Sequence, residues 1–471
     1  MHLQRPLLPP ALLDSLEGIN GFERSAFESI HYDGAHPTSI RYNTNKSAIL
    51  GEDEMAAHAA QLGLVLNEDG KIPWSSNGFY LTSRPSFTHD PLFHAGLYYV
   101  QEASGMFLEE AIRQTVGVSR PIRALDLCAV PGGKSTLIQS VIHENSFLVS
   151  NEVIKSRVNV LYENIVKWGS PNTLVTNNDP VQFSKLDNFF DLMVIDAPCS
   201  GSGLFRRDPM AIGEWSAEHV QLCSHRQRRI LSDAFPALAA GGTLIYCTCS
   251  YSKEEDEDIL DWILNELGAT SCRLDISKYP GIVEVQSDLN NGYGYRFYPD
   301  KTRGEGFFLA CLQKQTGSKF EFPKGGPKMG KTSIKEEKLI FQFLQASIDK
   351  YILFNQNGLF RAIPSTQADD FLYVLQKMYV KKAGTLLGQI AGQDLIPDHE
   401  LAMSYALRSN SPRIDLNRDE AIQYLKKNEL KINSDRKGWT LAAYSGLSLG
   451  WLKILSNRAN NYYPKNWRIL K

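Results

Sequence analysis

Two cysteines follow apolar runs fifty residues apart in the chain. Cys199 lies in the segment DAPCSGSGLF and Cys249 lies in YCTCSYSKEE. Each run predicts a buried strand, and each cysteine is followed by loop-forming residues, where reactive groups accumulate. A thiolate is a strong nucleophile when its surroundings favour deprotonation. If the two strands are neighbours, about 4.8 Å separates their backbones and both thiols face one bound ligand.

The other five cysteines are predicted to have structural rather than catalytic roles. Seven cysteines are an odd number in a chain of 471 residues, which favours free thiols over a disulfide framework. The single C-x-C of Cys247 and Cys249 lacks the repeated spacing of a zinc site, and no metal is predicted. Inert thiols are predicted at Cys128, Cys223, Cys247, Cys272 and Cys311.

Four acidic residues follow successive predicted strands. These are Asp126, Glu152, Asp179 and Asp196, and the strand that leads to Cys249 comes fifth. Open α/β sheets bind ligands at the carboxyl ends of their strands, where an acid after the second strand accepts hydrogen bonds from ribose hydroxyls. A single acid at such a position is commonly a loop residue or a helix cap. Four in succession indicate a binding site.

A glycine-containing turn joins the first of these strands to a helical pattern, in the segment DLCAVPGGKS. Glycines allow the backbone to approach a ligand, and a helix start presents free N–H groups. A phosphate loop is excluded because Cys128 stands where that motif needs glycine. The dinucleotide fingerprint is also missing, so the turn favours a smaller nucleoside ligand.

The chain is predicted to be an α/β protein of several domains, since 43% hydrophobic residues can form a large core. An N-terminal α/β extension spans residues 1–114, and alternating strands and helices predict a mostly parallel sheet in residues 115–315. A linker covers residues 316–334, and an α+β region covers residues 335–471. No apolar run approaches the roughly twenty residues of a membrane span, and a cytoplasmic protein is expected.

Charge is distributed unevenly along the chain. The net charge is only −2, yet residues 315–471 contain 24 Lys and Arg against 14 Asp and Glu. Residues 1–314 contain 26 against 38. This asymmetry suggests that the C-terminal third binds a polyanion. The alternative is an ordinary solvated lysine-rich surface.

Several motifs together resemble one enzyme family. DLCAVPGGKS, DAPCSGSGLFRRDP and CTCSYSKEEDE closely resemble motifs of the Sun-type RNA cytosine-5 methyltransferases, and YYVQEASGMF, SNEVIKSRVNVLYENIVKWG and GEGFFLA extend the match over most of residues 35–312. The resemblance implies a Rossmann-like sheet and S-adenosylmethionine as cofactor. The segments GWTLAAYSGLSLGWLK and NYYPKNWR look like the PUA-like RNA-binding end of bacterial 16S ribosomal RNA methyltransferases in that family.

The resemblance also implies roles for the reactive residues. Cys249 is expected to add to C6 of cytosine and Cys199 to assist its release. The pair Pro198-Cys199 alone would suggest the reverse, as in DNA cytosine methyltransferases, but the match at Thr248-Cys249 decides the assignment. Asp196 is the candidate acid near the N3/N4 edge of the base, and Lys134 is expected to orient Asp196 or the nucleotide.

Cofactor contacts are implied along the glycine turn and at the strand ends. The expected contacts are Cys128, Ala129, Val130, Pro131, Gly132, Gly133, Lys134, Glu152, Arg157, Asp179 and Asp196. Ser202, Asp256 and Asp300 depart from the common family pattern, which affects substrate contacts rather than catalysis. The acidic run from Glu254 to Asp258 is predicted to be a solvated helix start with a capping box.

The predicted function is formation of 5-methylcytosine in ribosomal RNA of the small subunit. A tRNA-directed enzyme with the same chemistry and a non-catalytic ribosome-assembly protein remain alternatives. The N-terminal region and aromatic residues of the basic C-terminal third are expected to bind RNA (Trp439, Trp451, Tyr462, Tyr463). The alternative for these aromatic residues is a place in the core, which is the expectation for Trp451. The sequence predicts no oligomeric state.

Overall fold

The N-terminal part of the protein is a small antiparallel sheet with short helices. We describe it from a computed structural model that covers residues 7–33, 36–64, 68–323, 332–345, 348–432 and 434–470. Its elements are α1 (Pro10–Leu16), α2 (Arg24–Tyr32), β1 (Thr38–Tyr42), α3 (Thr44–Ser47), α4 (Glu52–Leu62), β2 (Gly78–Leu81), α5 (Pro91–His94) and β3 (Tyr98–Val100). β1 is the middle strand and is buried along its length.

Five parallel strands form the centre of the molecule. They are β4 (Arg123–Asp126), β5 (Phe147–Asn151), β6 (Thr173–Thr176), β7 (Phe190–Asp196) and β8 (Leu238–Thr248), and the helices beside them are α6 (Leu108–Thr115), α7 (Gly133–Val141), α8 (Val158–Trp168), α9 (Ala217–Ala234) and α10 (Glu257–Glu266). The order in the sheet is β6-β5-β4-β7-β8. β5 and β6 are buried at every position, as expected for parallel strands covered on both faces. The strand order reverses between β4 and β7, where such sheets bind ligands.

Antiparallel strands extend this sheet beyond β8. They are β9 (Ala269–Cys272), β10 (Ile282–Gln286), β11 (Tyr293–Phe297) and β12 (Phe307–Lys314). β12 pairs with β8, and β9 and β11 share the other edge of β12. The predicted α/β fold class is confirmed.

The C-terminal region builds two four-stranded sheets and adds a strand to the central one. Its elements are α11 (Ile334–Phe341), β13 (Tyr351–Gln356), β14 (Leu359–Pro364), α12 (Ala368–Lys377), β15 (Val380–Ala383), β16 (Thr385–Ala391), β17 (Asp394–Pro397), α13 (His399–Met403), β18 (Arg413–Asp415), α14 (Arg418–Leu425), β19 (Gly438–Tyr444), β20 (Leu447–Ile454) and β21 (Ala459–Asn461). The sheet orders are β13-β14-β16-β17 and β18-β19-β20-β21. β15 pairs antiparallel with β6 and so completes a ten-stranded central sheet.

The hydrophobic cores cross the predicted domain limits. One core combines Ile40 and Leu97 of the N-terminal part with Tyr424, Leu449 and Ile469 near the chain end. α5 contacts both α14 and β20. The predicted boundaries stay predictions, and part of the predicted linker, residues 324–331, lies outside the described residues. The two ends of the chain nevertheless pack as one body.

Candidate active site

The two cysteines lie side by side at the carboxyl edge of the sheet. β7 and β8 are parallel neighbours, with Asp196 paired to Cys247. Cys199 stands three residues beyond β7, and Cys249 directly follows β8. Their Sγ atoms are 3.0 Å apart, close enough for a hydrogen bond, and both residues are half-buried and free. The structure therefore brings together the pair that the sequence singled out.

The two cysteine loops approach each other closely because Gly203 has no side chain. Its backbone N–H donates to the Cys249 carbonyl (2.8 Å), and a Cβ at this position would lie 2.7 Å from that oxygen and 2.5 Å from the carbonyl oxygen of Gly306. Any larger residue would separate the loops. The main chain thus fixes the distance between the two thiols.

The thiol pair is electrostatically unequal. The hydrogen bond to Cys249 and then burial raise the pKa of Cys199 well above its ordinary value. At a separation of 3.0 Å, the thiol of either cysteine can donate a hydrogen bond to the sulfur of the other. An S–H donor beside a second sulfur stabilises a thiolate on that second sulfur.

Lys134 and Asp196 form an ion pair next to the cysteines. Lys134 Nζ lies 2.7 Å from Asp196 Oδ2 and 5.2 Å from the ring centre of Phe307. Burial lowers the pKa of Lys134, but the Asp196 carboxylate outweighs it and the net pKa is raised. Lys134 is thus a firmly charged partner that orients the Asp196 carboxyl group, one of the two roles expected of it.

Asp126 ends β4 below the glycine turn and is fully buried. Its Oδ2 accepts a hydrogen bond from the Ser135 hydroxyl at 2.6 Å, and its Oδ1 has no partner among the residues that the structure describes. Burial raises the pKa of Asp126 to about 7. A buried acceptor without a partner is costly unless a ligand supplies the donor. Asp126 therefore fits the ammonium or hydroxyl donors of an aminoacyl nucleoside such as S-adenosylmethionine.

The glycine turn that follows β4 is bound to the end of β5 and to α8. The backbone N–H of Ala129 donates to the Asn151 carbonyl (2.8 Å), and Asn164 Nδ2 donates to the Pro131 carbonyl (2.8 Å). Gly132 has φ +115°, a left-handed conformation that favours glycine, and α7 begins at the next residue. The side chain of Cys128 is half-buried, and burial raises its pKa.

Glu152 and Arg157 lie together beyond β5. Glu152 Oε1 accepts from the backbone N–H of Ile154 at 2.7 Å, and its Oε2 lies 4.0 Å from the Arg157 guanidinium. Asp179 differs. Its Oδ1 caps a 3-10 turn by accepting from the Val181 N–H (3.2 Å), which is the ordinary role considered for a strand-end acid.

The acidic run from Glu254 to Asp258 is not the predicted solvated helix start. The three middle residues of the run are buried, and the Ser252 side chain makes no capping bond. The cause is Arg296, which bonds to Glu257 at 2.6 and 2.5 Å and lies 3.3 Å from Asp256. That prediction was wrong because the partner comes from a distant strand, β11.

The aromatic residues considered for RNA binding in the C-terminal region fall into a buried pair and a partly accessible pair. Trp451 is buried as predicted, and Tyr463, expected to grip RNA, is equally buried. Trp439 and Tyr462 remain partly accessible, with ring centres 4.6 Å apart and Lys453 Nζ 5.1 Å from the Trp439 ring. Only this second pair retains a surface on which a base can stack.

Three family profiles match successive parts of the chain. The N-terminal domain of 16S rRNA methyltransferase RsmF matches residues 8–103, 16S rRNA methyltransferase RsmB/F matches residues 119–313, and the methyltransferase RsmF PUA domain matches residues 411–469. In all three parts the chain is similar to methyltransferases of the RsmB/F family. The predicted resemblance is confirmed, and the RsmB/F-type chain is an S-adenosylmethionine-dependent RNA methyltransferase.

Curated relatives match nearly the whole chain. The ribosomal RNA small subunit methyltransferase F of Shewanella woodyi is 29% identical over 445 residues, which cover 91% of this chain and 89% of the relative. The protein of the same name from Vibrio cholerae is 28% identical over 446 residues, which cover 91% and 90%.

Solved structures share the central fold. A methyltransferase homologue from Pyrococcus horikoshii is 26% identical, with a TM-score of 0.53 over 65% of this chain and 100% of that one. NSun6 from the same organism, solved with the S-adenosylmethionine analogue SFG, has a TM-score of 0.55 at 19% identity, over 66% and 99%. In the described part of this chain, no helix is long and apolar enough to cross a membrane.

Glu255 and its neighbour Gln227 were missed at the sequence level. Glu255 was assigned to a solvated run, and Gln227 lies within an amphipathic helix, α9, where one buried amide carries no signal. The two bond to each other at 3.0 Å behind the cysteine loops. Neither could be found without knowing which distant loops pack against them.

Proposed function

We propose that this RsmB/F-type chain transfers a methyl group from S-adenosylmethionine to C5 of a cytosine in small-subunit ribosomal RNA, through a covalent bond between Cys249 and C6. The observation that carries the proposal is the 3.0 Å separation of the Cys199 and Cys249 sulfurs. They lie on the strand pair whose β7 member also ends in Asp196, the ion-pair partner of Lys134.

Cys249 is the proposed nucleophile. The match at Thr248-Cys249 supports this assignment, and a thiolate on Cys249 would accept a hydrogen bond from the thiol of Cys199, whose sulfur lies 3.0 Å away. Its addition to C6 makes C5 a nucleophile, because the ring becomes an enamine. Asp196, oriented by Lys134, is the proposed hydrogen-bonding partner at the N3/N4 edge, where charge develops.

Release requires removal of the proton from C5. Cys199 is the proposed base: after losing its own proton to solvent, it accepts the C5 proton. The electrons of the C5–H bond form the C5–C6 double bond, and the pair of the C6–S bond returns to Cys249. While Cys249 is bonded to C6, it is a neutral thioether, so the hydrogen bond that raises the pKa of Cys199 is weakened.

S-adenosylmethionine supplies an electrophilic methyl group when bound. The acceptor atoms proposed to hold it are those of Asp126 and Glu152, with the turn from Cys128 to Gly133 above them and Arg157 and Asp179 at the rim. The unpartnered Oδ1 of Asp126 is the observation that supports this fit. These residues orient the cofactor toward the sulfurs, at the point where the strand order reverses.

The proposed substrate is ribosomal RNA of the small subunit, acted on in the cytoplasm. Two relatives that match about nine-tenths of this chain bear the name ribosomal RNA small subunit methyltransferase F. Access of Cys249 to C6 requires that the cytosine leave its stack, which favours a loop or an opened helix as target. The edge-to-face pair Trp439 and Tyr462 beside Lys453 is a proposed contact for flanking RNA.

The test is methyl transfer from labelled S-adenosylmethionine to small subunits, naked 16S rRNA and tRNA taken from cells that lack this protein. Bisulfite sequencing of the products locates the methylated cytosine. Label in one cytosine of the small-subunit RNA supports the proposal. Label in tRNA alone would move the assignment to the tRNA-directed alternative, and binding of RNA without label would favour the non-catalytic one.

A further inference from the structure

Glu255 is a buried carboxylate that bonds to both cysteine loops. Its Oε1 accepts hydrogen bonds from the backbone N–H of Ser200 (2.9 Å) and from Gln227 Nε2 (3.0 Å). Its Oε2 accepts from the hydroxyls of Ser200 (2.5 Å) and Ser250 (2.6 Å). Ser200 directly follows Cys199 and Ser250 directly follows Cys249. One carboxyl group therefore connects the residues next to both sulfurs.

The surroundings of Glu255 match its ionised form. Burial raises the pKa of Glu255, and the donors from Ser200, Ser250 and Gln227 oppose that rise. The Ser200 N–H and the Gln227 amide can only donate to Oε1, and in the ionised form both serine hydroxyls donate to Oε2. All four hydrogen bonds come from inside the protein, and the side chain is fully buried. Glu255 therefore holds its neighbours rather than contacting substrate.

The two loops depend on Glu255 unequally. The bond from the Gly203 N–H to the Cys249 carbonyl ties both loops, but the Cys249 loop has a further tie of its own, since the Thr248 hydroxyl donates to Asp256 at 2.7 Å. The segment from Pro198 to Ser200 is held by Glu255 and by Gln227, which donates to the Pro198 carbonyl at 3.0 Å and is itself bonded to Glu255. Removal of the carboxylate would free Cys199 more than Cys249.

We propose that Glu255 is the positioning residue of the release half-reaction, holding Cys199 beside the sulfur of Cys249. The inference rests on the proposed function, in which Cys199 accepts the C5 proton while the C6–S bond pair returns to Cys249. Attack on C6 needs Cys249 alone, but release needs both sulfurs at one cytosine. Loss of Glu255 therefore leaves the first half-reaction and impairs the second.

The experiment measures the covalent protein–RNA complex that survives a denaturing gel, together with methyl transfer in the first turnover. Cys199→Ala is the reference for blocked release. Glu255→Ala is expected to form methylated RNA adduct in the first turnover, accumulate it, and lose about 100-fold in steady-state kcat, the scale of a misplaced reacting group.

Glu255→Gln is the conservative variant that restores the contacts. Its carbonyl oxygen accepts from the Ser200 N–H and Gln227, while its amide group donates to the two serine hydroxyls, which also act as acceptors. This variant is expected to recover most of the wild-type release. Recovery by an amide separates the positioning role from a requirement for the negative charge.

Glu109→Ala is the matched control for loss of a buried glutamate. Glu109 lies in α6 and accepts hydrogen bonds from the Ser75 hydroxyl (2.9 Å) and the Ser76 hydroxyl (2.7 Å), far along the chain from the cysteines. Both alanine variants lose a serine-bound buried carboxylate and are expected to unfold at lower temperature. Only the variant at Glu255 is expected to accumulate adduct.

The outcomes separate this inference from the proposed function. Accumulation with Cys199→Ala but not with folded Glu255→Ala overturns the inference alone, and so does accumulation with Glu109→Ala. No accumulation with Cys199→Ala overturns the assigned roles of the two cysteines. If Glu255→Ala does not fold, Ser200→Ala replaces it, since that change removes only one of the hydroxyl bonds. Release at the wild-type rate by Ser200→Ala would then contradict the inference.

Discussion

The carboxyl edge of the sheet is built differently on its two sides. At β7 and β8, the cysteine loops are bound to the protein itself, through Gly203 and Glu255. At β4 and β5, Asp126 keeps an oxygen without a partner among the described residues, and Glu152 Oε2 lies 4.0 Å from Arg157, beyond hydrogen-bond distance. The groups proposed to form the covalent bond are thus fixed in advance, whereas the groups proposed to hold a diffusible cofactor retain free acceptors.

The cysteine side is tested most severely by Cys249→Ala. Loss of the nucleophile is expected to lower methyl incorporation by at least about 10⁴-fold, as for other covalent catalysts. The protein should keep its fold, because Cys249 is only half-buried. Incorporation from labelled S-adenosylmethionine and a circular dichroism spectrum are the measurements. A covalent complex trapped by this variant would reverse the roles of the two thiols.

Cys199→Ala is expected to act later in the reaction. Removal of the base should lower steady-state turnover by about 10²- to 10⁴-fold, while a protein–RNA complex accumulates. A denaturing gel with labelled RNA provides the measurement. Full turnover in this variant would mean that the 3.0 Å sulfur pair has no part in release.

The cofactor side is tested by Asp126→Asn, which replaces a charged acceptor by a neutral group of similar size. Loss of a charge-assisted hydrogen bond of about 1.5–3 kcal/mol predicts roughly ten- to hundredfold weaker binding of S-adenosylmethionine. Calorimetric titration of the RNA-free protein measures the change. Unchanged affinity would show that the free oxygen of Asp126 is not kept for this ligand.

The same carboxyl group predicts a pH dependence without ligand. Burial raises the folded-state pKa of Asp126 from 3.8 to about 7, so the folded protein binds more protons than the unfolded chain between these values. Its contribution to the free energy of unfolding is therefore present below pH 3.8 and is lost as pH rises toward 7. The melting temperature of Asp126→Asn relative to wild type should rise between pH 5 and pH 8. An equal difference at both pH values would contradict the assigned pKa.

Asp179→Asn should have the smallest effect. Asp179 already accepts from the Val181 N–H and lies 3.7 Å from Arg229. Asparagine can still cap the turn, so the affinity for S-adenosylmethionine should change less than with Asp126→Asn in the same titration. A larger change at Asp179 would place the cofactor nearer to β6 than we propose.

The sequence predicted the parts of the site that are carried by local patterns. Apolar runs ending in Asp126 and Asp196 are local signals, and the parallel order of such strands then brings Cys199 and Cys249 to one edge. The burial of Glu255 depends on Ser200 and Gln227, which come from other elements. Long-range packing of this kind leaves no periodicity in the sequence.

The packing of the C-terminal region could not be predicted from local sequence patterns either. Composition and charge suggested a separate basic module, yet β15 pairs with β6 and Tyr463 is buried. The local sequence of an aromatic residue beside basic residues is the same whether the aromatic ring lies on the surface or in the core. Only the partner surface, here supplied by the N-terminal part, distinguishes the two.

The core shared by the two ends of the chain has a consequence for synthesis. Ile40 and Ile469 belong to one hydrophobic cluster, so its N-terminal half stays incomplete until the ribosome has passed residue 469. A nascent chain released earlier would expose the apolar residues around Leu97. The region that precedes the catalytic sheet therefore completes its core only after that sheet has been synthesised.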